Sequence, residues 1–248
     1  MTDKEIIDYA INTLDEYENL IPETLYHKNW TKMMRVPNVA FVKNVDTIFN
    51  GVYNRNPTFT IAEIGIGTGA STINIARILN NTGYYHIFDF QSTIDYQLKL
   101  LDILGYNNVT GHGSSTKLMD SYNWGLLQMI KENTGPVFDY IFLDGCHAFP
   151  TDGLAFFLSD RLLKIGGFIE FDDYDWTMQW HLNTQGNEYK DNVDKNQYEG
   201  SFKQRILESY TEEQIKMQQV ADIVEYLVKG SNRYKTILEK RVYQKIKS

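Results

Sequence analysis

One cysteine, Cys146, is present in 248 residues, so no disulfide can close within the chain and a reducing compartment is expected. Positive charge is not in excess. Lys and Arg number 24 against 32 Asp and Glu, and the net charge of −8 argues against a nucleic-acid backbone as the default partner. No apolar run approaches the roughly 18 residues that a membrane span requires. The first residues, Met1-Thr2-Asp3-Lys4-Glu5, are charged, so neither a membrane partner nor a secretion signal is expected and the cytoplasm is the expected location. There are no internal repeats and no low-complexity tract. The length suits one domain with an elaborated cap.

A glycine-rich turn stands out against this background. Glu63-Ile64-Gly65-Ile66-Gly67-Thr68-Gly69 follows the apolar run Phe59–Ala62 and precedes a helix-like stretch, Ala70–Asn80. Glycines let a backbone turn sharply and approach a ligand, and a helix start offers free N–H groups. Asp89 lies in the last part of the next expected strand, Tyr84–Phe90, where a carboxylate can accept both hydroxyls of a ribose. An adenosine-containing cofactor is expected. Gly65, Gly67 and Ala70 satisfy the dinucleotide fingerprint, whereas Glu63 with Gly65, Gly67 and Gly69 gives E-x-G-x-G-x-G, so the turn alone leaves the cofactor open.

Around the turn, strands alternate with helices. The expected strands are Phe59–Glu63, Tyr84–Phe90, Asn108–Gly111, Phe138–Leu143 and Gly167–Asp172, with helices near 70–80, 93–104, 116–132 and 151–163. Such alternation implies an α/β fold with a parallel sheet covered on both faces. Four parts are expected: a helical N-terminal cap over 1–55, a cofactor-binding core over 56–173, a lid or substrate insertion over 174–210, and a closing helix and strands over 211–248. The 174–210 stretch is polar and aromatic, with Trp176, Trp180, His181 and Tyr189, and a loop of that length is usually functional. Thr211-Glu212-Glu213-Gln214 forms a capping box that opens a helix expected to run to Lys229-Gly230. Basic residues collect beyond it: Lys229, Arg233, Lys235, Lys240, Arg241, Lys245 and Lys247. They read first as a solvated edge hairpin and second as a patch for a phosphorylated substrate.

A second constellation lies at later strand ends. Phe138–Leu143 ends in Asp144-Gly145-Cys146-His147, and Phe168–Phe171 runs into Asp172-Asp173-Tyr174. Ligands of open α/β sheets bind beyond the carboxyl ends of the strands, so Glu63, Asp89, Asp144, Asp172 and Asp173 converge on one rim. Three carboxylates in a small space repel unless a cation or protons neutralise them, and oxygen ligands select Mg²⁺ or Mn²⁺ over zinc. Asp144, Asp172 and Asp173 therefore read as a divalent-metal site, and His147 beside them as a proton acceptor. His86, inside a strand, reads as structural, and His112 as a residue near a strand end within reach of the cofactor.

With both segments in view, the sequence resembles the class I S-adenosylmethionine (SAM) methyltransferases over residues 38–176 and the C-terminal strands. Its D-Y-I-F-L-D-G-x-H and F-D-D-Y segments resemble a narrower group, the metal-dependent sugar O-methyltransferases of macrolide and aminocoumarin pathways and their relatives in surface-glycan clusters. The resemblance implies a Rossmann-like doubly wound sheet of seven strands, five parallel plus a C-terminal antiparallel pair. It implies that Glu63, Gly65, Gly67, Thr68 and Gly69 frame the methionine end of SAM, that Asp89 holds the ribose, and that Phe90, Gln91, Ser114 and Ser115 surround the adenosine. It further implies Mg²⁺ or Mn²⁺ on Asp144, Asp172 and Asp173, and His147 as the base, with Asp144 beside it in catalysis. The acceptor would be a sugar, a glycan precursor, a catechol-like ring or another small molecule, and the general prevalence of two-fold oligomers makes a homodimer a reasonable expectation. Ile165 stands where the family often has proline, and Gly113-Ser114-Ser115 replaces an expected acidic residue. Two rivals remain at this point: an NAD(P)-dependent oxidoreductase, which lacks a Tyr-x-x-x-Lys pair, and a non-catalytic SAM-binding subunit.

Overall fold

A computed structural model describes residues 1–22, 35–117, 119–133, 135–184 and 202–248. Seven strands form one sheet: β1 (Thr60–Ile64), β2 (Tyr84–Phe90), β3 (Val109–Ser114), β4 (Phe138–Leu143), β5 (Leu163–Phe171), β6 (Tyr234–Leu238) and β7 (Val242–Lys245). Their order is β3-β2-β1-β4-β5-β7-β6. The first five run parallel, and β7 pairs antiparallel with both β5 and β6. This is the expected Rossmann-like sheet with its closing antiparallel pair.

The order explains why the strands read as they do. β4 lies at the middle of the sheet, covered on both faces, and all six of its residues are buried. A parallel strand covered twice becomes a continuous apolar run rather than an alternating one. Two core clusters flank the sheet. One joins Phe41, Val45 and Phe49 to Tyr140 and Phe142, and the other joins Phe156, Ile223 and Val228 to Ile141, Ile169 and Tyr243. Helix Asp3–Glu16 begins at the Thr2–Glu5 capping box and buries Ile6, Ala10 and Leu14, while Ile7 and Ile11 on the same expected face stay half-buried. Among the described residues no helix is long and apolar enough to cross a membrane.

Four boundaries differ from expectation by three residues or more. β3 runs on to Ser114 because its pairing with β2 continues through Gly111 and Gly113 as far as Phe90. β5 begins at Leu163, not Gly167: Lys164–Gly167 form a bulge inside the strand with Gly166 at φ +87°. The helix expected over 116–132 starts only at Tyr122, with the Ser121 hydroxyl as its cap. The closing helix does open at Thr211 with both capping-box hydrogen bonds, but it stops at Lys216. It resumes at Gln219, passes into a wider π turn over Ile223–Val228 and ends at Ser231. The side chain of Gln219 accounts for the break. It accepts from Phe149 N (2.7 Å) and donates to Gln214 O (2.8 Å), tying the chain to the start of helix Phe149–Leu162.

Candidate active site

The chain reverses its direction of sheet growth between β1 and β4, and both strands end at the same rim. The glycine turn leaves β1 there. Gly65, Gly67 and Gly69 have φ of +85°, +53° and +77°, a region that L side chains rarely adopt. Gly65 donates to Phe88 O (2.8 Å), and a Cβ on Gly65 would stand 1.8 Å from the carbonyl oxygen of Asp144. The loop that follows β4 therefore lies directly on the turn. Helix Ala70–Leu79 starts after Gly69 with no side-chain cap, so its first N–H groups are left for a ligand.

Acidic side chains set the turn from below. Glu63 is fully buried, and its Oε2 accepts from the Thr72 hydroxyl (2.9 Å) and from the Tyr85 hydroxyl. Burial raises its pKa to about 7 against those two hydrogen bonds. Asp89 is turned into the turn itself: Oδ2 accepts from Ile66 N (2.9 Å) and Gly67 N (3.1 Å), and Oδ1 accepts from Phe90 N (2.6 Å). The carboxylate expected to hold a ribose thus fixes the glycine turn.

The other expected cofactor residues fall around this point. Thr68 is buried, and its carbonyl accepts from the Tyr96 hydroxyl (3.0 Å). Phe90 is exposed, and Gln91 donates to Asp95 (2.7 Å). The Ser114 hydroxyl donates to Asp89 O (3.4 Å), and Ser115 N donates to Asp120 (2.7 Å). Gln97, which the sequence did not single out, is fully buried against Gly69, and neither its Oε1 nor its Nε2 has a hydrogen-bond partner within the protein. His112 does not reach the rim. It stacks on Phe88 (4.3 Å) and faces His86 across 2.9 Å on the sheet face, where burial lowers the pKa of both rings, that of His86 to about 4.

Across the rim stands His147. Its Nε2 lies 3.4 Å from Asp173 Oδ2 and 3.8 Å from Asp144 Oδ1. Both His147 (φ +57°) and Asp173 (φ +52°) adopt the left-handed backbone, which Asn, Asp and His tolerate best. Asp152, in the first turn of helix Phe149–Leu162, holds the loop: its Oδ2 accepts from His147 N (2.8 Å) and its Oδ1 accepts from the Tyr122 hydroxyl. Tyr122 in turn accepts from Cys146 N (3.2 Å). The Trp176 ring packs at 5.1 Å from the imidazole. Burial, with Asp172 and Asp173 as neighbours, pushes Asp144 well above the ordinary carboxylate range.

Asp172 is engaged differently. Arg241, in the turn between β6 and β7, donates from Nη1 to Asp172 Oδ1 (3.2 Å), from Nε to Glu170, and from Nη2 to Asn38 Oδ1 (2.7 Å). As placed, no group of three His, Cys, Asp or Glu among the described residues is arranged to hold a metal ion. The C-terminal basic residues are largely paired: Lys229 with Glu225 and Glu239, Arg233 and Lys245 with Asp160, Lys240 with Asp175. Asp152 and Arg241 escaped the sequence reading. The one signal for Asp152 was an acidic residue in a helix first turn, and Arg241 was one of a basic run.

The described ends of the 174–210 insertion close over the same loop. Met178, Ile206 and Ile215 bury themselves with Ala148, flanked by Trp176, Leu182 and Tyr210. Residues 185–201, including Tyr189, lie outside the described part of the chain.

A seven-stranded sheet of this order, with a glycine turn after β1 and acidic residues at the ends of β2, β4 and β5, is consistent with a Rossmann-like methyltransferase fold. Residues 62–174 match the methyltransferase domain family. No curated protein sequence matches the chain. Among solved structures, the O-methyltransferase from Bacillus cereus in complex with S-adenosylhomocysteine is 17% identical, with 98% of this chain and 91% of that one covered at a TM-score of 0.54. A protein from Staphylococcus aureus assigned as a caffeoyl-CoA O-methyltransferase is 18% identical, with coverage of 97% and 99% and a TM-score of 0.53. At that identity the likeness establishes the fold. Residues 62–174 thus carry a match to a methyltransferase domain, on a sheet whose fold these solved structures share.

Proposed function

We propose that the protein transfers the methyl group of SAM to a hydroxyl oxygen of a small acceptor, with a sugar or glycan precursor bearing vicinal hydroxyls as the leading class. The observation that carries this reading is His147 Nε2, which faces Asp144 and Asp173 on the loop that rests on Gly65. A base stands beside the cofactor turn, as transfer to a hydroxyl requires. The similar structures named as O-methyltransferases agree with it.

The roles then follow. Glu63 and the turn Gly65–Gly69 take the methionine end of SAM. Asp89 meets the ribose with the lone pairs that the turn amides leave. Phe90, Gln91, Ser114 and Ser115 border the adenosine. His147 accepts the hydroxyl proton at Nε2 as the oxygen attacks the methyl carbon. The new C–O bond forms, the C–S bond breaks, and its electron pair stays on sulfur as S-adenosylhomocysteine. Asp144 and Asp173 stabilise the imidazolium that results. Trp176 and the lid ends exclude water from the reacting pair.

Asp144, Asp172 and Asp173 also suit Mg²⁺ or Mn²⁺. The donors are all oxygen, the ligand type that a hard dication takes. Bound there, the ion would lower the pKa of the acceptor hydroxyl and orient it. We place this reaction in the reducing cytoplasm, with Cys146 as the sole thiol.

The test is transfer of label from methyl-labelled SAM to a panel of sugars, sugar nucleotides and catechols, with and without EDTA. Labelled methyl ether should form on a hydroxylated acceptor, stop with EDTA and return with Mg²⁺ or Mn²⁺. Asp173→Asn should abolish transfer while SAM still binds. Full-rate methylation by a chelated preparation would remove the metal from the reading.

A further inference from the structure

Gln97 has no part in the reading above, although it lies against the glycine turn. It belongs to helix Gln91–Ile103, one face of which backs that turn. Thr93, Tyr96 and Gln97 are all buried on this face, at the spacing that aligns side chains along a helix. Thr93 hydrogen-bonds the Asp89 carboxylate, and the Tyr96 hydroxyl donates to Thr68 O (3.0 Å). Both tie the helix to the turn beside Gln97. The Gln97 amide itself meets Gly69: a Cβ there would stand 2.0 Å from Oε1 and 2.7 Å from Nε2. Gly69 directly precedes helix Ala70–Leu79, which is 10 residues long and has no side-chain cap. One turn along the backing helix, Leu100 and Leu101 pack with Ala70 and Ile73, so an apolar side chain at position 97 would continue that core. The chain places an amide there instead, and neither of its polar atoms has a partner within the protein. A buried polar group left unpaired costs stability, so its presence calls for a physical reason.

We propose that Gln97 binds the zwitterionic amino-acid end of SAM, completing a subsite for it with the start of helix Ala70–Leu79. The inference rests on the SAM reading given above and adds to it a residue from outside the glycine turn. A helix start offers N–H donors and the positive end of a dipole, which suit the carboxylate. The amide brings one donor group and one acceptor, the complement of a zwitterion. Nε2 donates to the carboxylate, and Oε1 accepts from the ammonium group beside it. Hydrogen bonds to ionised groups are stronger than those between neutral ones, so a single amide can set affinity. Gly69 then has two reasons to be glycine. It takes a left-handed backbone, and its missing side chain leaves the room that the amide fills. A leucine or methionine at position 97 would suit the core and offer the cofactor neither contact.

Two ligands that differ only beyond the sulfur separate this role from packing. S-adenosylhomocysteine carries the amino-acid end, and methylthioadenosine has the same adenosine and sulfur without it. Their binding to the full-length protein is measured by calorimetry for wild type, Gln97→Met and Gln97→Glu. Gln97→Met keeps the length of the side chain and should weaken S-adenosylhomocysteine about tenfold or more, the loss of a hydrogen bond to a charged group. Gln97→Glu sets a second carboxylate against the first and should weaken it at least as much. Methylthioadenosine affinity should change less than about twofold in both variants. Without ligand, Gln97→Met should melt no lower than wild type, because an apolar chain replaces an unpartnered amide. Equal losses for the two ligands, or no loss for either, would overturn the proposal, assign the amide to packing or a buried water, and leave the cofactor reading standing. Failure of wild type to bind SAM or S-adenosylhomocysteine would overturn both. A further measurement needs no substitution: the Gln97 side-chain N–H resonances of wild type should move on addition of S-adenosylhomocysteine. Resonances unmoved at saturating S-adenosylhomocysteine, or moved equally by methylthioadenosine, refute the contact.

Discussion

The carbonyl oxygen of Asp144 occupies the space that a Cβ at Gly65 would need, 1.8 Å away. Two segments distant in sequence are thereby pressed together backbone to backbone, and φ +85° at Gly65 adds a second barrier to any side chain. Gly65→Ala should cost at least about 2–3 kcal/mol of stability and weaken SAM binding tenfold or more, because the turn must shift off the β4 loop. Gly105→Ala supplies the control. That residue has φ +82° with nothing near its Cβ position, so it carries the backbone strain alone, about 1 kcal/mol. Thermal melts and SAM calorimetry on both variants decide the matter. If they lose equally, the contact with Asp144 does not matter.

The sheet was legible in the sequence where apolar and aromatic residues ran together, as in Tyr84–Phe90 and in the fully buried Phe138–Leu143, whose bounds agree residue for residue. It was less legible where glycines broke the pattern. Gly111 stood at the expected end of β3, yet the ladder with β2 continues through it and Gly113, and Gly167 stood at the expected start of β5, yet the strand begins earlier and bulges at Gly166. Carboxylates following apolar runs marked the rim correctly. What they bond to was hidden, because partners come from elsewhere in the chain. Asp89 meets amides 22 and 23 residues away, Asp152 holds His147 from a helix, and Arg241 reaches Asn38 across 203 positions. Local patterning carries no record of such meetings.

Glu63 makes the fold sensitive to pH. Its pKa rises from the ordinary 4.5 to about 7 on burial, so the folded chain keeps a proton that the unfolded chain gives up. The folded state is favoured fully below the unfolded pKa, and that advantage is lost as pH rises towards the folded value. The loss over this window is about 3 kcal/mol. Glu63→Gln, which is neutral throughout and can accept from Thr72 and Tyr85, removes the dependence. The variant should match wild type near pH 5 and exceed its stability at pH 8. Urea unfolding at the two pH values tests this. A wild type that gains on the variant as pH rises would show that Glu63 is ionised in the fold.

His147 is the residue on which the proposed chemistry turns, and its backbone offers a clean way to test it. At φ +57° the position accepts glycine without strain, and the hydrogen bond from its N–H to Asp152 survives any substitution that keeps the backbone. His147→Gly should therefore fold, keep SAM affinity near wild type and leave a hole shaped like the ring beside Trp176. Loss of a general base should lower kcat by about 10²–10⁴-fold. His147→Asn, also suited to the left-handed backbone but unable to take a proton, should be as poor. Free imidazole added to His147→Gly should restore part of kcat in a saturable way, and added to His147→Asn it should restore none, because the amide fills the hole. A structural role predicts the reverse pattern: Asn would work better than Gly, and imidazole would rescue neither. Near-normal turnover in both variants would assign the proton to solvent and leave His147 as a partner that spaces Asp144 from Asp173.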